Sequence, residues 1–229
     1  SHWKNRAIAD TYEPGSTFKV IVVASALEAG VVKVDDIFDC ENGRLRITNH
    51  VIGDSHPHGK LTVADIVKVS SNIGAYKVEQ KLGRDGVYEA IKRFGFGSQT
   101  GLDLPGESSG ILSAASKWSP LQFATIAFGQ GIAATPLQMT MAFAAIANGG
   151  TLLRPYLVRR VASDDGTSIY EGEMKVVGQP ISPATAKTMT GLLKKVVEEG
   201  GTIILNAATD DAWLRALAPL FRWETHGRT

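Results

Sequence analysis

The strongest constraint on the fold of this chain is the apolar run Val20 to Leu27, which meets no helix breaker before Gly30 and is preceded by the turn Pro14-Gly15. That pattern predicts a helix that begins at or just before Ser16, covers Thr17 to Ala29 and is apolar on most sides, hence buried. Ser16 then sits among the unpaired N–H groups at the helix start, on the positive end of the helix dipole. Lys19 follows three residues later, so one turn brings its amine under the Ser16 hydroxyl. A lysine kept neutral by its surroundings can take the serine's proton and make it a nucleophile. The same four residues also fit an N-cap serine with a solvated lysine, and spacing alone does not separate the two readings.

The Pro-Gly turn and the buried helix favour the chemical reading, and so does a second polar triplet, Ser70-Ser71-Asn72. Thr62 and Asp65 form a capping pair ahead of the apolar face Val63, Ile66, Val67 and Val69, and Ile73 to Leu82 continues to a stop at Gly83. The triplet therefore falls at a joint between two helices, where polar side chains can enter a cleft; a capping cluster is the plainer alternative. Ser-x-x-Lys with a later Ser-x-Asn is the pairing of penicillin-binding proteins and class A β-lactamases, with Lys-Thr-Gly as the third element. Longer stretches agree: Tyr12–Lys19 (YEPGSTFK), Val69–Gly74 (VSSNIG), Gly95–Gly110 (GFGSQTGLDLPGESSG), Ala127–Met139 (AFGQGIAATPLQM) and Ile146–Val158 (IANGGTLLRPYLV). In this order they resemble the transpeptidase domain of class B penicillin-binding proteins, the cell-division members most of all, from about Asn5 to Thr202.

The rest of the chain fits a compact body. Val31 to Ile52 predicts a small hairpin turning at Asn42-Gly43, and Val87 to Phe94 a short amphipathic helix closed by Gly95 and Gly97. Ser98 to Gly110 reads as an ordered loop. Ser119-Pro120-Leu121-Gln122 and Thr135-Pro136-Leu137-Gln138 each combine a cap hydroxyl, a first-turn proline and a third-position glutamine, and the second opens the apolar helix Met139 to Ala147. Gly129-Gln130-Gly131 reads as a flexible turn that the resemblance sets near the cleft, and it is assigned to packing first. A strand from Leu152 to Val161 turns at Asp164-Asp165-Gly166 toward Ser168 to Tyr170, and Ser182-Pro183 starts a last helix, Ala184 to Val197. His50, His56 and His58 lie near Asp54, but Pro57 forces an extended loop and no Glu or Cys completes a ligand set, so no metal is expected. A net charge of +1 gives no field for nucleic acid, and the single Cys40 excludes a disulfide framework. No run of about eighteen apolar residues occurs.

The resemblance implies an α+β, helix-rich fold: the helical portion of the serine β-lactamase and penicillin-binding-protein transpeptidase fold, with the central sheet largely missing. It divides the chain into a partial transpeptidase domain, 1–202, and an unrelated tail, 203–229, from a frameshift, truncation or chimeric join. It implies peptidoglycan D,D-transpeptidation with Ser16 as nucleophile, Lys19 as general base, Ser70 as proton relay and Asn72 as substrate binder, without a cofactor. Peptidoglycan stem peptides and β-lactams are the implied partners. The parent protein is expected to be membrane-anchored, to face the cell-wall side and to work with division or elongation partners. Two departures stand out. Only fifteen residues precede Ser16, where the family places strands, and no Lys-[Ser/Thr]-Gly occurs in the sequence, Lys187-Thr188-Met189 being no substitute. The Ile21 to Val23 face is therefore expected to lack its sheet partner, and acylation to be slow. A catalytically dead remnant serving as an interaction surface is the alternative; a β-lactamase or D,D-carboxypeptidase is less favoured.

Overall fold

The computed structural model describes residues 4–199 and is arranged around one buried helix. A short helix not anticipated from the sequence, α1 (Arg6–Ala9), is capped by Asn5 and comes first. The chain then enters α2 (Lys19–Glu28) through a 3-10 turn at Gly15–Phe18, so the α-helix proper starts three residues later than expected. Thr17 Oγ1 donates to the Pro14 carbonyl at 2.7 Å and tightens that turn. From Lys19 to Ala26 every residue of α2 is buried. The expectation of an uncovered face at Ile21 to Val23 is corrected, since these residues are 0%, 2% and 0% exposed. Three helices close around α2: α3 (Val63–Val69), α4 (Asn72–Arg93) and α7 (Pro183–Glu198). Each branched side chain so covered contributes about 1.5–3 kcal/mol, which is ample reason for these helices to close on α2.

Strands are short and pair only in twos among the described residues. β1 (Ile37–Asp39) pairs antiparallel with β4 (Lys60–Thr62), enclosing a second pair, β2 (Arg44–Ile47) and β3 (His50–Gly53). The expected hairpin across Asn42-Gly43 is thus incorrect. Glu41, Asn42 and Gly43 all take positive φ (52°, 50° and 80°), which swings the chain from one pair into the next instead of folding it back on itself. Farther on, β6 (Arg160–Ala162) and β7 (Ser168–Glu171) form the hairpin foreseen at Asp164-Asp165-Gly166. The long strand expected over Leu152 to Val161 is interrupted: β5 (Leu152–Leu153) leaves to pair with β8 (Val176–Gly178).

The helix starts follow their capping chemistry. Thr62 and Asp65 make a reciprocal capping box on α3, as do Thr135 and Gln138 on α6 (Pro136–Ala147). Ser119 caps α5 (Pro120–Ile126), but Gln122 turns away to the Ser113 hydroxyl and the Gly131 carbonyl. Helix α4 breaks at Gly83 (φ 72°, ψ 165°), a conformation essentially confined to glycine, and resumes at Arg84 rather than Val87. Ser182 caps α7, and Glu28 at the end of α2 accepts from the Ser182 amide (2.9 Å), the Ser182 hydroxyl (2.8 Å) and the Thr185 hydroxyl. This carboxylate fastens the last helix to the central one. The proposed tail, 203–229, lies outside the described residues.

One core residue runs against the pattern. Glu79 on α4 is 0% exposed, and neither carboxyl oxygen has a hydrogen-bond partner among the described residues. Burial pushes its pKa well above the usual carboxylate range, which favours the neutral form. The unfolded chain releases this proton near pH 4.5 while the folded chain keeps it, so folding stability falls as pH rises above that value. Glu79→Met fills similar volume without stranded oxygens and is expected to stabilise the fold by about 1–3 kcal/mol at neutral pH. Denaturant melts at pH 7 and pH 4 check this, and the gain is expected to shrink at the lower pH.

Candidate active site

At the head of α2, burial and hydrogen bonding converge on one amine. Lys19 is only 3% exposed, and its Nζ lies 2.9 Å from Ser16 Oγ and 2.8 Å from Ser70 Oγ, with a third short contact to the Ser70 carbonyl. Removal from water pulls its pKa down to about 7, with the Asp54 carboxylate opposing the shift. The three oxygens suit either protonation state. A carbonyl can only accept, so it takes one N–H in both, whereas each hydroxyl can donate or accept. As an ammonium, Lys19 donates to all three. As a neutral amine it has two hydrogens and one lone pair, so one hydroxyl must turn and donate to it. When Ser16 is that hydroxyl, its proton already points at the base.

The second serine arrives through a backbone device. Ser70 ends α3 in the left-handed region (φ 57°, ψ 43°), and Ser71 starts α4 immediately afterwards as its N-cap. That one residue turns the chain so that both Ser70 oxygens meet the Lys19 amine. A non-glycine residue there carries roughly 1–2 kcal/mol of strain. Asn72 occupies the first turn of α4, with Nδ2 donating to the Gly53 carbonyl at 2.7 Å. The structure thus brings Ser16, Lys19 and Ser70 into direct contact, and places Asn72 at the adjoining helix start, anchored to the end of β3.

One feature at the site escaped the sequence reading, and another was assigned to packing first although the resemblance set it near the cleft. The Gly129-Gln130-Gly131 turn, taken as packing, lies against the Ser16 turn: the Gly15 amide donates to the Gly129 carbonyl at 3.2 Å, and Glu13 accepts from the Gly131 amide at 2.8 Å. A Cβ on Gly129 would stand 2.3 Å from the Gly15 carbonyl oxygen and 2.8 Å from the Phe18 Cβ, at a backbone φ of 77°. Only glycine permits this approach. Asp54, considered above only as a metal ligand, instead accepts hydrogen bonds at the start of α4. Among the described residues no three His, Cys, Asp or Glu side chains form a metal-holding group. The Gly129 contact predicts that Gly129→Ala shifts the Ser16 turn while leaving the helices in place. Displacement of about 1 Å costs on the order of 10² in rate, so penicillin labelling is expected to drop by about that factor with an unchanged far-ultraviolet circular dichroism spectrum.

A serine, a buried lysine and a second serine thus meet on one amine, set on a helical body with paired short strands. The chain belongs to the penicillin-binding protein transpeptidase domain family, whose model matches residues 1–213. It is 37% identical over 205 residues to stage V sporulation protein D of Bacillus subtilis, covering 86% of this chain and 31% of that protein. With the peptidoglycan D,D-transpeptidase FtsI of Escherichia coli it shares 32% identity over 199 residues, 86% of this chain and 32% of the relative. The crystal structure of penicillin-binding protein 3 from Mycobacterium tuberculosis in complex with aztreonam matches with a TM-score of 0.77 at 31% identity, covering 84% of this chain and 43% of that one. A D,D-transpeptidase domain from Eggerthella lenta matches with a TM-score of 0.79 at 29% identity, covering 85% of this chain and 51% of that one. The chain therefore spans about a third of the length of the curated relatives it matches. Among the described residues no helix is long and apolar enough to cross a membrane.

Proposed function

We propose that this chain carries the acylation centre of a serine-type peptidoglycan D,D-transpeptidase. The observation that carries the reading is the 3%-exposed Lys19 amine between the Ser16 and Ser70 hydroxyls. In the first step Ser16 Oγ bonds to the carbonyl carbon of the penultimate D-Ala of a stem peptide, and its proton passes to neutral Lys19. The carbonyl electron pair moves onto oxygen. The Ser16 amide, in the first turn of the helical segment, is assigned to stabilise that charge. Collapse breaks the bond to the terminal D-Ala, whose nitrogen takes the proton from Lys19 by way of Ser70. The amine of a neighbouring strand then attacks the ester, surrenders a proton and restores the Ser16 hydroxyl. Asn72 is assigned to the substrate's amide, with its second N–H and its Oδ1 available beyond the bond to Gly53.

A β-lactam enters the same sequence when its ring amide opens on Ser16. The relatives' names, and a complex with aztreonam among the similar structures, support stem peptides and β-lactams as ligands. For the whole protein we place the activity at a membrane-anchored position on the cell-wall side, with division or elongation partners, and assign residues 203–229 to a tail outside the transpeptidase domain. This chain's own rate is expected to be low, because no Lys-[Ser/Thr]-Gly supplies the substrate's carboxylate with a cation. Loss of that charged hydrogen bond costs about 1.5–3 kcal/mol.

Incubation with a fluorescent penicillin tests the assignment. Slow covalent labelling is expected, mapped by mass spectrometry to Ser16 and abolished in Ser16→Ala. The labelling rate is expected to rise with pH through about 7, where Lys19 loses its proton, and to fall about tenfold per pH unit below it. Labelling that persists in Ser16→Ala would reject the nucleophile. A folded chain with no labelling at any pH favours a remnant without activity.

A further inference from the structure

We propose that Asp54 is a positioning residue of this site: its carboxylate pins the α3–α4 joint in the one conformation that turns both Ser70 oxygens onto the Lys19 amine. The inference rests on the acyl-transfer reading above, and it concerns a residue that touches neither the nucleophile nor the base. Asp54 Oδ1 accepts from the backbone amides of Asn72 (2.6 Å) and Ile73 (3.1 Å), and Oδ2 accepts from the Ser71 hydroxyl at 2.6 Å. Ser71 in turn accepts from the Gly74 amide at 2.9 Å. Three of the orphan amides at the start of α4 are thus held by this pair, and the adjacent Gly53 carbonyl holds the Asn72 side chain. The negative charge also sits at the positive end of a long helix, where it is favoured.

The joint needs such a clamp because Ser70 is strained. A left-handed serine between two helices relaxes unless its neighbours over-determine it. Asp54 and Ser71 fix the residues on its C-terminal side, and α3 fixes those before it. Relaxation of Ser70 would withdraw two of the three oxygens around Lys19.

Its charge gives Asp54 a second, separable effect, since it favours the protonated form of Lys19 against burial. Around it, Lys77 on α4 is paired with Glu41. Burial pushes the Cys40 thiol up, so it stays neutral. Asp39 stands on the Cys40 side, and His50, His56 and His58 on the same β3–β4 segment are exposed or half-exposed. Asp65 on α3 is bound to Thr62, and Lys68 to Glu199. Among the described residues, the charge that acts on Lys19 is that of Asp54.

Two substitutions separate the effects. Asp54→Asn keeps an acceptor for the two amides and can donate to the Ser71 oxygen, but removes the charge. Asp54→Ala removes both. The full chain is titrated two ways: by the pH dependence of penicillin labelling, and by the pH dependence of the Lys19 ε-carbon signal in lysine-labelled protein, assigned with Lys19→Arg. Asp54→Asn is expected to move both midpoints to lower pH than wild type, with a smaller loss of plateau rate than Asp54→Ala. For Asp54→Ala the plateau is expected to fall on the order of 10²-fold, with helical circular dichroism retained. Unchanged midpoints in Asp54→Asn together with a wild-type plateau in Asp54→Ala would overturn the proposal. If penicillin reacts elsewhere than Ser16, the functional reading fails by that result, and the Lys19 titration still decides whether Asp54 governs the amine.

Discussion

The Lys19 amine is taken out of water and given three oxygens in exchange, and much of the architecture answers what that burial requires. An isolated ammonium in an apolar interior would be strongly unfavourable, and its burial lowers the pKa to about 7, at a cost in stability below the ordinary lysine pKa, where the unfolded chain keeps the proton. That value places the amine where it exchanges a proton readily at physiological pH, as a general base needs. Burial comes from α2 being covered by α3, α4 and α7. The surroundings of the lysine and the hydrophobic core are thus one construction, and a loosened core would return Lys19 toward water and toward its protonated form.

The oxygens reach the amine by two different routes. Ser16 is delivered locally, three residues before the lysine, on a 3-10 turn held from outside by Gly129 and Glu13. Ser70 comes from 51 residues away and depends on a strained turn between two helices. The local pair needs only helix geometry, whereas the distant one needs the end of β3 fixed against the start of α4. The nested β1–β4 and β2–β3 pairs supply that placement, carrying Gly53 and Asp54 to the amides they hold. A small region of sheet thereby positions a helical site.

Much of this was legible in the sequence for identifiable reasons. Ser16, Lys19 and the Ser70 triplet stood at helix boundaries marked by glycine, proline and capping residues, signals that act over three or four residues. Both Thr-x-x-Asp/Gln capping boxes and the Ser182 cap were readable on the same ground. Features set by long-range contact were not. Asn42-Gly43 has the composition of a hairpin turn, but three successive positive φ values spend it on a crossover between two ladders. Asp54 was weighed only in a histidine-bearing loop for which no metal was expected, because nothing local shows a carboxylate capping a helix that begins eighteen residues later. Ile21 to Val23 looked exposed when judged against the sheet expected of the family, although α4 and α7 cover them.

The central claim, that Lys19 is poised as a neutral base between two serines, is tested most directly by titrating that residue in the wild-type chain. With lysine ε-carbons labelled and Lys19 assigned through Lys19→Arg, its nuclear magnetic resonance shift followed from pH 5 to 11 should show a midpoint near 7. A Lys19 midpoint near the free-lysine value of about 10.4 would mean that the amine is charged at neutral pH, and would contradict the account.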